Sequence, residues 1–315
     1  MIAFGPIPSR RLGKSLGINN IPPKHCSYSC LYCQLGKTID YCSTRQAFYS
    51  PEQIFEEVRK KVEMAGNHNE HIDYLSFVPD GEPTLDINLG KSIILLKSLG
   101  IKIAVITNSS LLSHEEVRID LCGADLVSVK IDTTDAGIWK KINRPHKDIE
   151  HSSVMDGIVS FKNIFRGRLI TETMLVKNIN DKSGNINEVA DFISDLSPDA
   201  AYITIPLRPP AVRSVSPPDE SVVNTCYQIF KEKIKHVECL TGYEGNEFAF
   251  TGNIEDDILS ITAVHPMRQD AVNELLNKSG SKFAVIDSLI EQGKLVETTY
   301  KNKKYYIRKL KGYIA

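Results

Sequence analysis

Read from its amino terminus, the chain alternates short apolar runs with longer amphipathic stretches. Continuous or every-second-residue apolar positions mark 72–78, 101–106, 126–131, 169–176 and 201–205 as strands. Between them, apolar residues recur at three- and four-residue spacing, which predicts helices. The first opens at Ser50-Pro51-Glu52, an N-cap followed by a proline at the first helical position and an acidic first turn. It continues through Ile54, Phe55, Val58 and Val62. Further helices are predicted at 93–99, from Ser113 onward, around 136–143 and 150–164, at 186–196 and at 217–235. Repeated strand–helix alternation argues for a parallel sheet with right-handed crossovers. About six such units fit, fewer than a full eight-fold barrel holds.

Both ends of the chain depart from that rhythm. Residues 5–20 are rich in Gly, Pro and basic residues (Arg10, Arg11, Lys14) and predict an arm that leads into the first strand through Leu16-Gly17-Ile18. The stretch 236–254 carries no clear pattern and is punctuated by Gly242, Gly245 and Gly252. From 255 onward, 256–261, 268–277 and 282–292 read as three short helices. A hairpin follows, with strands 295–299 and 304–308 turning at Lys301-Asn302. The expected fold is α/β: a partial (β/α)6 barrel of TIM type over residues 1–254, then a small domain over 255–315 that resembles a winged-helix module.

Composition narrows the setting. A chain of 315 residues has room for one large α/β domain and a small appended one. Its formal net charge of −1 excludes a global polyanion-binding surface, so any nucleic-acid contact must come from a local patch. The amino terminus shows no basic segment followed by an apolar run, and no apolar stretch approaches a membrane span. A soluble, cytoplasmic protein is expected, with no membrane partner. Of seven cysteines, Cys42, Cys122, Cys226 and Cys239 are scattered without framework spacing, which suits a reducing compartment.

The other three lie in residues 22–36, Pro-Pro-Lys-His-Cys-Ser-Tyr-Ser-Cys-Leu-Tyr-Cys-Gln-Leu-Gly. Pro22 and Pro23 hold the chain extended and Gly36 closes the segment, so a loop is expected. Such a loop can curl the Cys26, Cys30 and Cys33 thiolates toward one point. A 4Fe–4S cluster has four irons to ligate, and three cysteines leave one of them open for chemistry. The alternative is a zinc site with His25, His68 or His71 as fourth ligand. Zinc motifs more often pair Cys-x2-Cys units, and no second pair exists here.

The Cys-x3-Cys-x2-Cys spacing, with aromatic Tyr32 before the last cysteine, resembles the radical S-adenosylmethionine (SAM) superfamily. The resemblance implies one 4Fe–4S cluster held by Cys26, Cys30 and Cys33, with SAM chelating the fourth iron. An external one-electron reductant would drive SAM cleavage to a 5′-deoxyadenosyl radical. Residues 79–85, Pro-Asp-Gly-Glu-Pro-Thr-Leu, resemble the superfamily's Gly-Gly-Glu-Pro segment, with Gly81 and Glu82 transferring by position and Asp80 replacing the first glycine. Glu82 would then contact the SAM amino group. Asn108, Lys130, Asp132 and Glu172, together with Tyr32, are the further residues implied for the SAM pocket. Independently, alternation along 127–132 puts Ser128, Lys130 and Asp132 on one face, toward a barrel lumen, where an internal Lys130–Asp132 pair is the plain alternative. Arg208, Arg213 and Arg144 fall at the rim and are candidates for a phosphate or carboxylate of substrate.

The terminal hairpin carries Lys301, Lys303, Lys304, Arg308, Lys309 and Lys311, interleaved with Tyr300, Tyr305 and Tyr306. Such a wing could grip a nucleic-acid backbone and stack on bases. On the helix at 282–292, Lys282 is offset by Asp287 and Glu291, which argues against major-groove DNA reading. RNA, a partner protein or the barrel itself remain as its contact. Gly5-Pro-Ile-Pro-Ser-Arg-Arg and Cys33-Gln-Leu-Gly36 resemble the wyosine-synthase-like branch, which makes tRNA the preferred substrate. That branch binds a second cluster through extra N-terminal cysteines, and none precedes Cys26. Two other functions are weighed: an activase that generates a radical on a partner protein, and a non-enzymatic iron–sulfur sensor with nucleic-acid binding.

Overall fold

The computed structural model describes residues 1–242 and 245–309. Strands β1 (Ala3–Ser9) and β2 (Gly13–Ile18) pair antiparallel, so the expected arm is a hairpin. Leu16 and Ile18 are fully buried, and burial of β2 against the next strand overrides the Gly/Pro composition. Two-residue strands β3 (His25–Cys26) and β4 (Asp40–Tyr41) bracket the cysteine loop. The βα units then run in order: α1 (Pro51–Asn67), β5 (Tyr74–Phe77), α2 (Leu89–Leu96), β6 (Lys102–Thr107), α3 (Glu115–Leu121), β7 (Leu126–Lys130), α4 (Ala136–Ile142), α5 (His151–Ile164), β8 (Arg168–Met174), α6 (Ser183–Leu196), β9 (Ala200–Thr204), α7 (Glu220–Lys233) and β10 (Val237–Leu240). Ser50 caps α1 by accepting from Gln53 N at 3.1 Å, with Pro51 in the first turn.

The result is an eight-stranded sheet ordered β1-β2-β5-β6-β7-β8-β9-β10, parallel from β2 onward. It is an open, curled half-barrel. Strand β10 falls in the stretch whose sequence carries no clear pattern; Val237 and Leu240 are buried there. Along β7 the side chains alternate as the sequence predicts. Val127 and Val129 join the helix-facing core with Phe161 and Val189. Leu126, Ser128 and Lys130 share the lumen face. Leu126 packs with Ala104, Ile170, Ala200 and Tyr202 as an apolar floor, so the lumen is greasy at its base and polar at the C-terminal strand ends.

A second core gathers Phe248, Ile258, Met267, Leu275, Leu289 and Tyr306 among others. It belongs to α8 (Ile254–Val264), β11 (Met267–Arg268), α9 (Gln269–Ser279), α10 (Ala284–Glu291), β12 (Leu295–Tyr300) and β13 (Lys303–Arg308), whose strands are ordered β11-β13-β12. Lys301 and Asn302 both take positive φ, 49° and 57°, as a two-residue hairpin turn demands. The hairpin's tyrosines are not free to stack on bases. Tyr305 and Tyr306 are buried, Tyr300 donates to Pro206 O at 3.0 Å, and Tyr305 donates to Leu207 O at 3.1 Å. Lys301, Lys303 and Lys304 stay exposed; Lys311 lies outside the described residues. Part of the hairpin thus grips the barrel just beyond β9. Among the described residues, no helix is long and apolar enough to cross a membrane.

Asp86 lies under the loop after β5, where its carboxylate accepts from Asn88 N at 2.9 Å and Asn20 Nδ2 at 3.2 Å. Burial pushes it up to about 6 despite these donors. A carboxyl raised on folding binds protons more tightly in the folded state, so its contribution is present at low pH and lost as pH rises through about 4 to about 6. Urea titrations of wild type and Asp86→Asn should diverge over that window. The wild type should lose on the order of 2 kcal/mol across it relative to the variant.

Candidate active site

The cysteine loop is stapled from two sides. On one, Lys24 N donates to Asp80 O at 2.7 Å and Glu82 N to His25 O at 3.1 Å. On the other, Ser29 N donates to Asn143 O at 3.1 Å, Leu31 N to Ile142 O at 2.9 Å and His146 N to Ser27 O at 2.8 Å. Between these anchors Cys26, Cys30 and Cys33 line one cavity of about 220 Å³ over the ends of β5, β6 and β7. Amide donors meet the sulfurs: Tyr28 N and Asn108 Nδ2 lie 3.5 and 3.7 Å from Cys26 Sγ, and Asn143 Nδ2 lies 3.6 Å from Cys30 Sγ. Burial pushes all three thiols up, Cys30 to about 12.

The zinc alternative finds no fourth ligand among its histidines. His25 Nδ1 bonds Asp40 at 2.7 Å and its Nε2 bonds Gln46 at 3.0 Å. His68 is bonded to Met64 O and His71 to Asp73. Among the described residues, no three His, Cys, Asp or Glu side chains are grouped to hold a single metal ion. The three cysteines all line the one cavity.

Gly81 is fixed by packing. A Cβ there would stand 1.8 Å from the His25 carbonyl oxygen, so the loop after β5 could not approach the cysteine loop. Gly81→Ala should push these loops apart, lowering iron incorporation severalfold and stability by about 1–3 kcal/mol. Iron assay after anaerobic reconstitution, alongside urea titration, reads both effects.

Glu82 is almost fully buried, and burial raises its carboxyl. Oε1 accepts from Thr84 N at 3.1 Å, Thr84 Oγ1 at 2.6 Å and Thr107 Oγ1 at 2.7 Å; Oε2 accepts from Asn108 N at 2.7 Å. The carboxylate ties the β5 and β6 loops together. Neighbouring Asp80 is paired through Oδ1 with Lys24 Nζ at 3.3 Å, and burial pushes it up to about 6. Its Oδ2 has no partner among the described residues, and the residue lines the cavity.

Lys130 and Asp132 do not pair with each other. Lys130 Nζ bonds Glu172 Oε1 at 2.6 Å and lies 5.0 Å from the Tyr32 ring centroid, while Arg11 pairs with the other Glu172 oxygen. Burial lowers the Lys130 ammonium. Asp132 accepts from Tyr32 OH at 2.5 Å, Asn143 Nδ2 at 2.8 Å and Met174 N at 2.8 Å. Arg208 lines a second cavity beside this one, at the ends of β8, β9 and β10, whereas Arg144 and Arg213 are exposed and line neither. Sequence reasoning missed Asn143 and Lys24 as site residues, and it read Arg11 as part of a basic arm, solvated or reaching a substrate phosphate, where the structure pairs it with Glu172 in the cavity wall. Asn143 sits beside the noticed Arg144-Pro145, but only the fold turns it inward.

The sequence profile of the Radical SAM superfamily matches residues 20–192, more than half of the chain. The chain belongs to the radical SAM superfamily. Membership makes the protein an enzyme and implies a 4Fe–4S cluster and SAM, which the three-thiol cavity and the unpartnered Asp80 oxygen fit. This radical SAM enzyme is 48% identical, over 99% of its length and 97% of the relative's, to UPF0026 protein MJ1312 of Methanocaldococcus jannaschii. It is 30% identical, over 93% of its length, to 43% of a larger Brachyspira hyodysenteriae protein named GTPase Obg, a name that describes that protein. Among solved structures, TYW1 with a lysine-pyruvate adduct bound matches with TM-score 0.53 at 14% identity, covering 70% of this chain and 74% of that one. A radical SAM methyltransferase from Sphaerobacter thermophilus matches with TM-score 0.53 at 13% identity, covering 72% of this chain and 66% of that one. At these identities the likeness is one of fold, the partial TIM-type barrel.

Proposed function

We propose that this radical SAM enzyme carries one 4Fe–4S cluster on Cys26, Cys30 and Cys33, binds SAM beside it, and modifies RNA, with tRNA as substrate. The observation that carries the reading is the cavity itself, which three thiols line together with the polar groups of Asp80, Asn108, Lys130 and Glu172. When bound, cluster and SAM supply a 5′-deoxyadenosyl radical that takes a hydrogen atom from substrate.

The chain's own residues do the rest. Tyr28 N–H and the Asn108 and Asn143 amides donate to sulfur and favour its negative charge. Asp80 Oδ2 is an acceptor for the SAM ammonium, a contact that Glu82, with four donors already on its oxygens, leaves to its neighbour. Lys130 supplies positive charge for the SAM carboxylate, and the Tyr32–Asp132–Asn143 network holds the wall against which the ribose would lie. Burial of these groups excludes water from a reactive intermediate.

RNA as substrate is supported by the exposed Lys301, Lys303 and Lys304 ridge, and tRNA by the resemblance of residues 5–11 and 33–36 to the wyosine-synthase-like branch. We read the unit from residue 255 onward as a winged-helix module, anchored on the barrel through Tyr300 and Tyr305. Anaerobic reduction of the reconstituted protein with SAM should release 5′-deoxyadenosine. Nucleosides from tRNA of cells with and without the protein should then differ. SAM cleavage with unchanged RNA would move the substrate to a partner protein, and no cleavage at all would end the enzyme reading of this site.

A further inference from the structure

Two segments pair directly with the backbone that carries the cysteines. In the first, β4 makes Tyr41 the register partner of Cys26, and Cys42 N donates to Cys26 O at 3.3 Å. In the second, residues 144–146 run against 27–29. Ser29 N donates to Arg144 O at 3.1 Å, Tyr28 and Pro145 form an antiparallel bridge, and His146 N donates to Ser27 O at 2.8 Å. Tyr41 joins the two segments: its hydroxyl donates to Arg144 O, and its ring meets the His146 ring edge-on at 5.2 Å between centroids.

The side chains these segments expose form a cationic face with an apolar centre. Ile39 is 56% exposed and Tyr41 39%, although both sit within a few residues of a cysteine ligand's partner strand. Around them, 37–41 and 140–148 carry five Lys and Arg against two Asp, on a chain whose net charge is −1. Lys37, Lys140, Lys141, Arg144 and Lys147 are all exposed, and none has an ion pair among the described residues. The two acids are each taken up by a histidine, Asp40 by His25 Nδ1 at 2.7 Å and Asp148 by His146 Nδ1 at 3.4 Å.

The face is close to the cysteines without opening on them. Lys37, Ile39, Tyr41, Arg144 and Lys147 line neither cavity. A substrate that gives up a hydrogen atom must enter the cavity and touch the reacting group. An electron tunnels through intervening protein and needs only a near approach. Contacts between electron-transfer partners are also small and transient, so a patch of this extent suffices. Opposite charge steers such encounters and sets their orientation.

We propose that this face docks a small acidic protein carrying a one-electron centre, which reduces the cluster through the Tyr41 and 144–146 segments. The inference rests on the three-cysteine cluster of the proposed function. One electron leaves the carrier, which is oxidised, and the cluster accepts it; no bond is made or broken and no proton moves.

The test is an anaerobic calorimetric titration of the reconstituted full-length protein with an oxidised, acidic two-cluster ferredoxin, which reads docking without turnover. Affinity should fall about tenfold between about 50 and 500 mM salt. At the lower salt, the double variant Lys37→Glu/Lys147→Glu should bind about fivefold more weakly or worse. Lys102→Glu/Lys235→Glu makes the same charge change at the opposite ends of the strands and should stay within about twofold. Stopped-flow reduction by the reduced ferredoxin should slow in step with binding, whereas reduction by the methyl viologen radical, a small cation that needs no docking, should not slow. Equal iron in all three proteins separates these effects from loss of the cluster. With iron in place, no binding up to about 1 mM, or equal weakening by both double variants, overturns the proposal. Ferredoxin binding left intact by Lys37→Glu/Lys147→Glu, with tRNA binding lost in a filter assay, overturns it in favour of an RNA contact. Wild-type protein that takes up no iron would instead remove the reading of the cysteine loop, and this one with it.

Discussion

Cys33→Ser should drop the iron content of the reconstituted protein from an expected four or so per chain to below about one, and should abolish reductive SAM cleavage. Cys33 closes a tight turn through Cys33 N to Cys30 O at 3.1 Å, and it lies where the two cavities meet. Serine keeps the turn but replaces a soft thiolate with a hydroxyl that stays protonated at this depth and holds iron poorly. Cys26→Ala and Cys30→Ala should behave alike. Cys42→Ser is the control: its backbone bonds Cys26 O at 3.3 Å, yet its side chain lines neither cavity. Iron and sulfide assays with 5′-deoxyadenosine quantification read all four variants. Full iron and turnover in Cys33→Ser would sink the three-cysteine reading.

Glu82→Ala should cost roughly 3–6 kcal/mol of folding stability, a large share of what a domain has. It removes the acceptors of Thr84 N, Thr84 Oγ1, Thr107 Oγ1 and Asn108 N in one step, at a side chain that is almost fully buried. Each orphaned donor is worth about 1–3 kcal/mol, and the hydroxyls can turn to other acceptors, which keeps the sum below the maximum. Glu82→Gln should lose less, about 2 kcal/mol: one amide oxygen still serves the threonines while the NH2 opposes Asn108 N–H. Urea titration gives both values. If Glu82→Ala were as stable as wild type and only SAM affinity fell, the residue would be a cofactor contact and not the tie between two loops.

The contrast between Glu82 and Lys130 marks how far sequence reasoning reaches. Period-two alternation on 127–132 assigns Ser128, Lys130 and Asp132 to the lumen, because a parallel strand needs an apolar face under its helices. It does not say which charge Lys130 meets. That follows from register: Lys130 stands opposite Glu172 on β8, and the partner 42 residues away wins over Asp132 two residues on. Asp132 lies just past the strand end, where Tyr32 and Asn143 claim its carboxylate. The three rim arginines divide for the same reason. Arg208 is carried inward by the end of β9, whereas Arg144 and Arg213 sit on loops whose backbone, not side chain, meets the site.

The amino-acid sequence alone determined the cysteine spacing, the strand–helix alternation, the N-cap of α1 and the Lys301-Asn302 turn, because each depends on residues within a few positions of one another. Tertiary structure decided the β1–β2 hairpin, the partners of Glu82, Lys130 and Asp132, the burial of Tyr305 and Tyr306, and the second cavity. Most of those features join segments tens to hundreds of residues apart, and the β1–β2 hairpin, though local, is set by packing β2 against β5. Their energies come from burial and register, which no local pattern carries.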